Sequence, residues 1–475
     1  MPAQIGYTLL RKCAQPKMSY LSRVVNSEQL NPASQRFDEQ IKRTFAKIHG
    51  IDMYEMKEDM QTRMHLPLSS GGMGIASLQR VAPAAYAASL LNASADIRTV
   101  ATLSSSTTAT YIANNISFAQ NALQQYNVDL LKVCKVSTIE QLCEVKSFDK
   151  LQQRISVQAT AYVDNTLLAK SIPSVKAAIL SSSQKHASRW LDNVLETGDQ
   201  FLRTSEWSAA VRHRLCLPAT SMLASNMCQC DSDMTNDYSH FHVCSMMKKG
   251  AMFDRHQLAV GVLTRELREL GYAVTLEPAL PNSKDDQLRP DLFVNGVSGG
   301  YYVDVSVVCA SGKTCIKEWK SSTTALGAAS RAAKDKTTKY ASGMSKLQAQ
   351  QNSLRCTFVP FVLESHGGLC EEGDQWIAML CREQSLPTQA YQRIMNRLSA
   401  ALQLGNSNID MTGCMLNAGM VKSRAVGGTG SGHSMNVERA MALHLSSTFQ
   451  FDFVTNKRQR QRVPQNRERE EHEIE

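Results

Sequence analysis

Two aspartates within a short apolar stretch could together hold a divalent cation. Asp291 follows Arg289-Pro290 and begins the apolar run 291–294, and Asp304 lies inside the β-branched run 301–308. A carboxylate in such a run is costly to bury unless a positive group neutralises it. A cation shared with Asp291 would do so, because hard cations bind carboxylate oxygens. The structural alternative is that Asp291 caps a turn and Asp304 forms a salt bridge.

A group of cysteines and histidines upstream could hold zinc. Cys228, Cys230, His240 and Cys244 lie within seventeen residues. Thiolate and neutral imidazole are the ligands of tetrahedral zinc. His242 competes with His240 for the fourth position. Because all four ligands are local, they leave no open coordination position, which predicts a structural zinc ion. The alternative is a cysteine-rich loop with reduced thiols.

Positive charge is concentrated directly after the two aspartates. Between residues 310 and 356, nine basic residues accompany only two acids, Glu318 and Asp335. The basic residues are Lys313, Lys317, Lys320, Arg331, Lys334, Lys336, Lys339, Lys346 and Arg355. Such a run is ordinarily a solvated helix face, but beside a pair of metal-binding carboxylates it favours a phosphodiester-binding surface. Lys336, Lys339 and Tyr340 have the spacing that places all three on one helix face.

The elements that must position these residues alternate between strands and helices. The predicted strands are 273–276, 291–294, 301–308 and 356–363. The turn-rich residues 295–300 predict a hairpin between the second and third of them. Helices are predicted at 254–270 and 322–350. This alternation indicates an α/β or α+β domain.

The chain before this region is predicted to be helical, and the chain after it is less regular. Residues 37–48 carry an apolar stripe that ends at Gly50, which predicts a helix with a glycine C-cap. The run Gly71-Gly72-Met73-Gly74 predicts a backbone turn, since it lacks the preceding strand and the Gly-Lys-Ser/Thr ending of a phosphate loop. A predicted helix at 387–404 precedes a glycine-rich region and a charged tail at 456–475, which is predicted to be disordered.

Two further features in the helical part favour structural roles. Trp190 and Trp207 are predicted to anchor the core. The basic segment Arg212-His213-Arg214 predicts an exposed helix end, with a phosphate contact as the alternative.

Composition indicates a soluble globular protein of two or three domains. The chain has 475 residues, of which 43% are hydrophobic and 20% charged. Its net charge of +9 favours a polyanionic partner. Thirteen cysteines without a secretory signal indicate a reducing, intracellular compartment. No segment approaches the roughly 20 apolar residues of a membrane span, so no membrane partner is expected.

The order of these motifs resembles the C-terminal part of non-LTR retrotransposon reverse transcriptase polyproteins. The series covers about residues 216–380 and consists of Cys-x-Cys, His-x3-Cys, Arg-His, Arg-Pro-Asp, Val-Asp-Val-Ser, Lys-x2-Lys-Tyr and Phe-Val-Pro-Phe-Val-Leu-Glu. The N-terminal motifs Leu-Pro-Leu, Gly-Gly-Met-Gly-Ile and Ala-Pro-Ala-Ala-Tyr resemble the thumb and linker that follow the polymerase palm in that family.

The resemblance implies an α+β fold in which a helical N-terminal half precedes a small zinc knuckle and an α/β domain with a central mixed sheet. The implied parts are a thumb-like region at 1–110 and a helical linker at 111–215. A CCHC-type zinc knuckle would follow at 216–252. A restriction-enzyme-like endonuclease domain of the PD-(D/E)xK type would span 253–385, and a helical and loop extension would occupy 386–455.

The resemblance also implies ligands for two kinds of metal ion. The zinc ligands would be Cys228, Cys230, His240 and Cys244, and His242 falls outside the family's pattern. Asp291 and Asp304 match the carboxylates that bind catalytic Mg²⁺ or Mn²⁺.

The catalytic lysine and the nucleic-acid contacts are less directly assigned. In the simplest form of the motif a lysine stands two residues after the second aspartate, where this chain has Ser306. The resemblance therefore implies a lysine from the following helix, and the choice between Lys336 and Lys339 stays open. Glu364 is expected as a further polar member of the site. The expected nucleic-acid contacts are Arg255, His256, Arg289 and Tyr340.

The implied function is metal-assisted phosphodiester hydrolysis, in which one DNA strand is nicked and its 3′ end primes reverse transcription. DNA is the expected partner, RNA a further one, and the nucleus the expected location. No polymerase activity is expected, because the palm requires a Tyr/Phe-x-Asp-Asp turn and the chain's Asp-Asp pair, Asp285-Asp286, lies in a polar stretch. The alternatives are an inactive nucleic-acid-binding remnant and a decaying reading frame whose product has no function.

Overall fold

Helices make up most of the described chain and four strands form one small mixed sheet, so the α+β class is confirmed at this level. The computed structural model describes residues 1–100, 105–145, 147–192, 202–219, 226–235, 237–280, 288–350 and 355–419. Asp285-Asp286, the glycine-rich region and the charged tail lie outside these ranges. Among the described residues, no helix combines the length and the apolar character that crossing a membrane requires.

Twelve helices precede the cysteine and histidine cluster in the described ranges. They are α1 (Ala3–Leu9, continued by a π turn and a 3-10 turn to Met18), α2 (Leu21–Val24), α3 (Ser27–His49), α4 (Glu58–His65), α5 (Leu78–Val100), α6 (Ser105–Gln124), α7 (Leu130–Cys134), α8 (Ile139–Glu144), α9 (Leu151–Lys170), α10 (Pro173–Ser182), α11 (Arg189–Asp192) and α12 (Thr204–Leu215).

The remaining elements surround the sheet. They are α13 (Ala251–Glu269), β1 (Ala273–Leu276), β2 (Leu292–Asn295), β3 (Gly300–Val308), α14 (Lys313–Trp319), α15 (Gly327–Gln350), β4 (Cys356–Glu364), α16 (Glu371–Glu383) and α17 (Thr388–Asn417). The four predicted strands form within one residue of their expected bounds.

Local capping determines where α3 begins and ends. The Asn26 side chain accepts a hydrogen bond from the Glu28 amide at 2.8 Å, which satisfies one of the free amides of the first turn. Gly50 ends the helix at φ 60°, in the left-handed region that glycine adopts without strain. Ile41 and Phe45 of the apolar stripe are buried. The helix predicted at 37–48 and its glycine cap are therefore confirmed, with an earlier start.

One core joins the two ends of the helical part. Trp190 and Trp207 are buried, and their rings meet edge to face with centroids 4.9 Å apart. Tyr7 packs against Trp207 at a centroid distance of 5.5 Å. The prediction that both tryptophans anchor the core is confirmed. This core unites residues 3–75 with residues 190–217, while the domain boundaries proposed from sequence stay predictions.

The sheet has the strand order β1-β2-β3-β4. β1 pairs with β2 and β2 with β3 in antiparallel fashion, whereas β3 and β4 are parallel. The predicted hairpin joins β2 to β3, where the Gly296 amide donates to the Gly299 carbonyl at 2.9 Å. Parallel strands need a long crossover, and α14 and α15 provide it.

Side chains of β3 alternate between two layers of helices. Val303 and Val305 lie in the core that α13, α16 and α17 cover. Tyr302 packs with Tyr340 of α15 on the other face. Asp304 is two residues from Tyr302, so it shares that face. The helix that carries the candidate lysines therefore lies over the second aspartate.

Helix α17 continues to Asn417, so the predicted end at 404 is wrong. Gly405 and Gly413 lie inside the helix at two close contacts. A Cβ at Gly405 would lie 2.4 Å from Cγ of Arg255, and one at Gly413 would lie 2.4 Å from the Phe241 ring. Close packing against these neighbours outweighs the poor helix propensity of glycine.

The segment Arg212-His213-Arg214 is buried, so neither the exposed helix end nor the phosphate contact is correct. The guanidinium of Arg212 pairs with the carboxylate of Glu55. Arg214 donates to the carbonyl of Gly72 at 2.9 Å and to the hydroxyl of Ser188 at 2.8 Å. Both cations are therefore used to join parts of the fold.

The glycine run at 71–74 forms the predicted backbone turn. Gly71 and Gly74 have φ values of 72° and 67°. Gly72 lies so close to the neighbouring backbone that a Cβ there would be 2.2 Å from the carbonyl oxygen of Leu66.

Replacing Gly72 by alanine should lower the free energy of unfolding by about 1–3 kcal/mol, because the added carbon overlaps a backbone oxygen. Gly261 in α13 is the matched control, since a Cβ there meets no atom within 4 Å. Gly261→Ala should raise the free energy of unfolding by about 0.5–1 kcal/mol through helix propensity. Urea unfolding measures both variants, and equal stabilities would contradict the close contact at Gly72.

Candidate metal centres

Asp291 takes the place of a strand residue at the end of the sheet. β2 begins at Leu292, which pairs with Val303, so the antiparallel ladder stops there. The next free amide on that edge of β3 belongs to Val305, and it donates to Oδ2 of Asp291 at 2.6 Å. The carboxylate of Asp291 is thereby held against β3, beside the residue that carries the second carboxylate.

The carboxylate of Asp304 is buried and receives both of its partners from α15. Oδ1 accepts a hydrogen bond from the Tyr340 hydroxyl at 2.7 Å. Oδ2 forms an ion pair with the ammonium group of Lys336. Burial and the hydrogen bond to Asp304 raise the pKa of the Tyr340 hydroxyl, so this group stays protonated as a donor.

His256 supplies a partner for Asp291 from the opposite layer of helices. Its Nε2 lies 3.1 Å from Oδ1 of Asp291, and both side chains are partly exposed. The two aspartates are therefore held between α13 and α15, and every carboxylate oxygen of the pair contacts a donor. This geometry is compatible with both hypotheses, a structural salt bridge at Asp304 and a metal site.

The structure distinguishes between the two candidate lysines. Lys336 contacts Asp304. Lys339 is exposed, and its ammonium group lies 5.1 Å from the centroid of the Tyr340 ring. Lys336 is therefore the lysine that the fold brings to the carboxylates.

Two of the four expected nucleic-acid contacts are wrong because their side chains are buried. Arg255 is 3% exposed and donates to Nδ1 of His242 at 3.1 Å, and Tyr340 is 1% exposed. Consecutive residues on a helix point about 100° apart, so Arg255 faces the interior while His256 faces Asp291. Arg289 is exposed next to the aspartates.

Glu364 does not belong to the aspartate site. It lies at the end of β4 opposite Val308, whereas Asp304 lies opposite Pro360. Its buried carboxylate accepts a hydrogen bond from the Ala329 amide at 3.0 Å and so caps the start of α15. Burial raises the pKa of this carboxyl group. The prediction that Glu364 joins the site is wrong, because Glu364 lies four residues along β4 from the position opposite Asp304 and its carboxylate is used to cap α15.

The cysteine and histidine cluster is assembled from three short turns. The ligand atoms of Cys228, Cys230, His240 and Cys244 all lie within 4.8 Å of one another. The sulfurs of Cys228 and Cys244 are 3.8 Å apart, and Sγ of Cys230 lies 3.3 Å from Nε2 of His240. The cluster could hold a metal ion, and three thiols with one imidazole are compatible with structural zinc.

His242 points away from this cluster. It shares a 3-10 turn with His240, in which residues two apart face different sides. Its Nε2 lies 3.1 Å from Oδ1 of Asp410, in the interior. Of the two histidines, the structure brings only His240 to the three cysteines.

The three thiols differ in their protonation. Burial raises the pKa of Cys244 to about 12 and also raises the pKa of Cys228. Burial acts in the same direction on Cys230, but hydrogen bonds from Ser232 and the neighbouring thiols outweigh it and lower the pKa to about 6. Near neutral pH the cluster without metal therefore contains one thiolate and two thiols.

A second group of potential ligands consists of His213, His242 and Asp410, with ligand atoms within 4.8 Å of one another. Arginine can only donate, so the hydrogen bond from Arg255 occupies the lone pair at Nδ1 of His242. Nε2 then carries the proton and donates it to Asp410. A neutral imidazole has a single lone pair, and none is left for a metal ion, so this group does not fit a metal site.

No family model matches this chain, and no curated protein matches it. The function must therefore be argued from the geometry of the sites.

Sequence reasoning missed two kinds of interaction. The first is the pairing of Tyr340 with Asp304, although its signal was present in the i, i+4 spacing from Lys336. The second is a stack of buried imidazoles, in which His213 lies between His242 and His366 at centroid distances of 4.1 and 4.2 Å. These histidines come from distant segments, so no local pattern could reveal the stack.

His240→Gln should abolish stable zinc binding, because the cluster then loses its only imidazole ligand. His242→Gln is the matched control and should retain one zinc ion per chain, since that ring faces Asp410. Zinc content after exhaustive dialysis, measured by atomic emission, distinguishes the two variants. Loss of zinc from the His242 variant alone would contradict the ligand assignment.

Zinc binding at pH 7 should release about two protons per ion, because Cys228 and Cys244 must lose theirs while Cys230 is already a thiolate. Zinc affinity should consequently fall as the pH falls. Calorimetric titration of the metal-free protein in buffers of different ionisation enthalpy counts the protons. Release of none would contradict the raised pKa values of those two thiols.

Proposed function

We propose that this chain acts as a retrotransposon-derived, metal-dependent DNA endonuclease that nicks one strand, and that the 3′ end so produced primes reverse transcription. The observation that carries the proposal is that Asp291 binds the Val305 amide, next in sequence to Asp304, and that Lys336 pairs with Asp304. The chain's resemblance to the C-terminal part of non-LTR retrotransposon polyproteins supports the same function.

The arrangement fits the chemistry of phosphodiester hydrolysis. Asp291 and Asp304 would hold Mg²⁺ or Mn²⁺, which activates water and offsets charge that develops on the phosphate. Lys336 would shift from Asp304 to the phosphate oxygens or the attacking water. Ser306 lies on the same face of β3 as Asp304, where the simplest motif has a lysine. Lys336 of α15 would supply the cation that Ser306 lacks.

Two neighbours keep the carboxylates in place. Tyr340 donates to Asp304 from one side, and His256 contacts Asp291 from the other. Such supporting hydrogen bonds orient metal-binding carboxylates and are part of a working site. Because Tyr340 is buried and stays protonated, we assign it a positioning role.

Exposed cations near the site favour a nucleic-acid partner. Arg331, Lys334 and Lys339 lie on the outer side of α15, and Arg289 is exposed beside Asp291. Cations that follow a phosphate backbone bind it through counterion release. DNA is the proposed substrate, RNA a further partner and the nucleus the proposed location. The zinc cluster would act as a structural knuckle immediately before α13.

A second function is favoured by one observation, the ion pair between Lys336 and Asp304. A carboxylate that is already neutralised by protein groups has no need of a metal ion. In that case the chain would bind nucleic acid without cleaving it.

Asp291→Asn and Asp304→Asn should each reduce nicking of supercoiled plasmid in Mg²⁺ or Mn²⁺ by about a hundredfold or more, and Lys336→Ala should reduce it comparably, because each removes part of the charge stabilisation. Lys339→Ala is the matched control and should lower the rate only a fewfold, because it removes one exposed cation and leaves the carboxylates and Lys336 in place. Gel analysis of relaxed circles measures the rate, and retained zinc content verifies folding.

Unchanged nicking in both aspartate variants would disprove the assigned site. Salt-sensitive DNA binding by the wild-type protein, with no cleavage in either metal, would instead favour the non-enzymatic function.

A further inference from the structure

A groove leads away from Asp291 along the exposed face of α13. Its volume is about 830 Å³, and its lining includes Gln257, Gly261, Arg268 and Leu276 besides Asp291 itself. Gln257, Gly261 and Arg268 of α13 are separated by four and seven residues, which places these three in one stripe of the helix. The groove therefore begins at the candidate metal site and follows this stripe.

Phe253 continues the same stripe at the end nearest the carboxylates. It lies four residues before Gln257, which is one helical turn. Its side chain is 54% exposed, and its ring centroid lies 6.3 Å from that of His256, which contacts Asp291. Among the described residues from 226 onward, Phe253 is the one aromatic residue whose side chain is largely exposed. An accessible aromatic face thus stands beside the site.

The charges at one end of the groove suit a phosphate backbone. Arg265 and Arg268 are exposed at the end away from Asp291. The carboxylate of Glu269 is held by Arg393 and Arg397, at 3.3 and 3.2 Å.

Two acids lie at the other end of the groove. Glu277 lines the groove together with Asp291. A cation at the aspartate site would offset both of these carboxylates.

We infer that this groove binds the DNA strand on one side of the scissile phosphate, with Phe253 stacked on an unpaired base. The inference rests on the proposed endonuclease function and adds its substrate class, DNA with unpaired nucleotides next to the cleaved bond. Cationic grooves with aromatic platforms are the usual means of binding single strands. A base within a duplex is already stacked on both faces, so contact with Phe253 requires an unpaired one.

The stacking contact is tested with a gapped DNA duplex that carries 2-aminopurine in its single-stranded gap, with Ca²⁺ in place of Mg²⁺ so that a cation offsets Glu277 and Asp291. Stacking on Phe253 should quench the fluorescence of the probe. Phe253→Trp should preserve the quenching, whereas Phe253→Leu should abolish it and weaken binding about tenfold. Phe118→Leu, which alters another exposed phenylalanine far along the chain, is the matched control and should behave as wild type.

The path of the strand is tested at Gly261, where a new side chain enters open space. Gly261→Trp should fill the groove and weaken binding of the gapped probe at least tenfold. Gly261→Trp should retain the fold, which urea unfolding verifies, because a Cβ at this position meets no atom within 4 Å.

The outcomes separate this inference from the proposed function. Normal binding and nicking by both Phe253→Leu and Gly261→Trp would overturn the groove while leaving the nuclease intact. Quenching that depends on both positions, without cleavage in Mg²⁺ or Mn²⁺, would support the groove and overturn the nuclease. Failure of the wild-type protein to bind the probe would overturn the groove directly.

Discussion

The buried carboxylate of Asp304 constrains the whole sheet region. With 6% of its surface exposed, this group requires donors inside the fold. Both donors, Lys336 and Tyr340, come from α15, which crosses that face because β3 and β4 are parallel. The crossover helix that joins β3 to β4 therefore also supplies the groups that neutralise the buried carboxylate. The arrangement of the site thus follows from the order of the strands. Asp291 is tied to the same strand through the Val305 amide.

A second polar layer joins the sheet to the rest of the chain. Arg255 of α13 donates to His242 beside the cysteine and histidine cluster and, at 2.9 Å, to Asn406 of α17. His213 of α12 stacks on His242. Buried polar groups are costly to leave unpaired, so these contacts determine how the helical part, the cluster and α13 are placed. Arg255 directly precedes His256 in α13, so this polar layer lies next to the partner of Asp291.

The errors of sequence interpretation have a common physical origin. Arg212, Arg214 and Arg255 carry charge, and charge in a sequence ordinarily indicates exposure. All three are buried, because acceptors from distant segments receive their guanidinium groups: a carboxylate for Arg212, backbone carbonyls for Arg214, and an imidazole nitrogen and an amide oxygen for Arg255. Gly405 appeared likewise to weaken a helix, yet it permits contact with Arg255. In each case the deciding partner lies far away along the chain.

The sequence by itself determined the features that depend on near neighbours. Strand bounds, the apolar stripe and glycine cap of α3, and the spacing of the cysteine cluster follow from periodicity, capping and short loops. Only the tertiary structure decided that Lys336 rather than Lys339 meets Asp304, that His240 rather than His242 joins the cysteines, and that Glu364 caps a helix. Those choices depend on which face of each element is covered. The free energy that decides which face is covered comes from burial and from pairing between distant segments, and the local spacing of residues does not encode it.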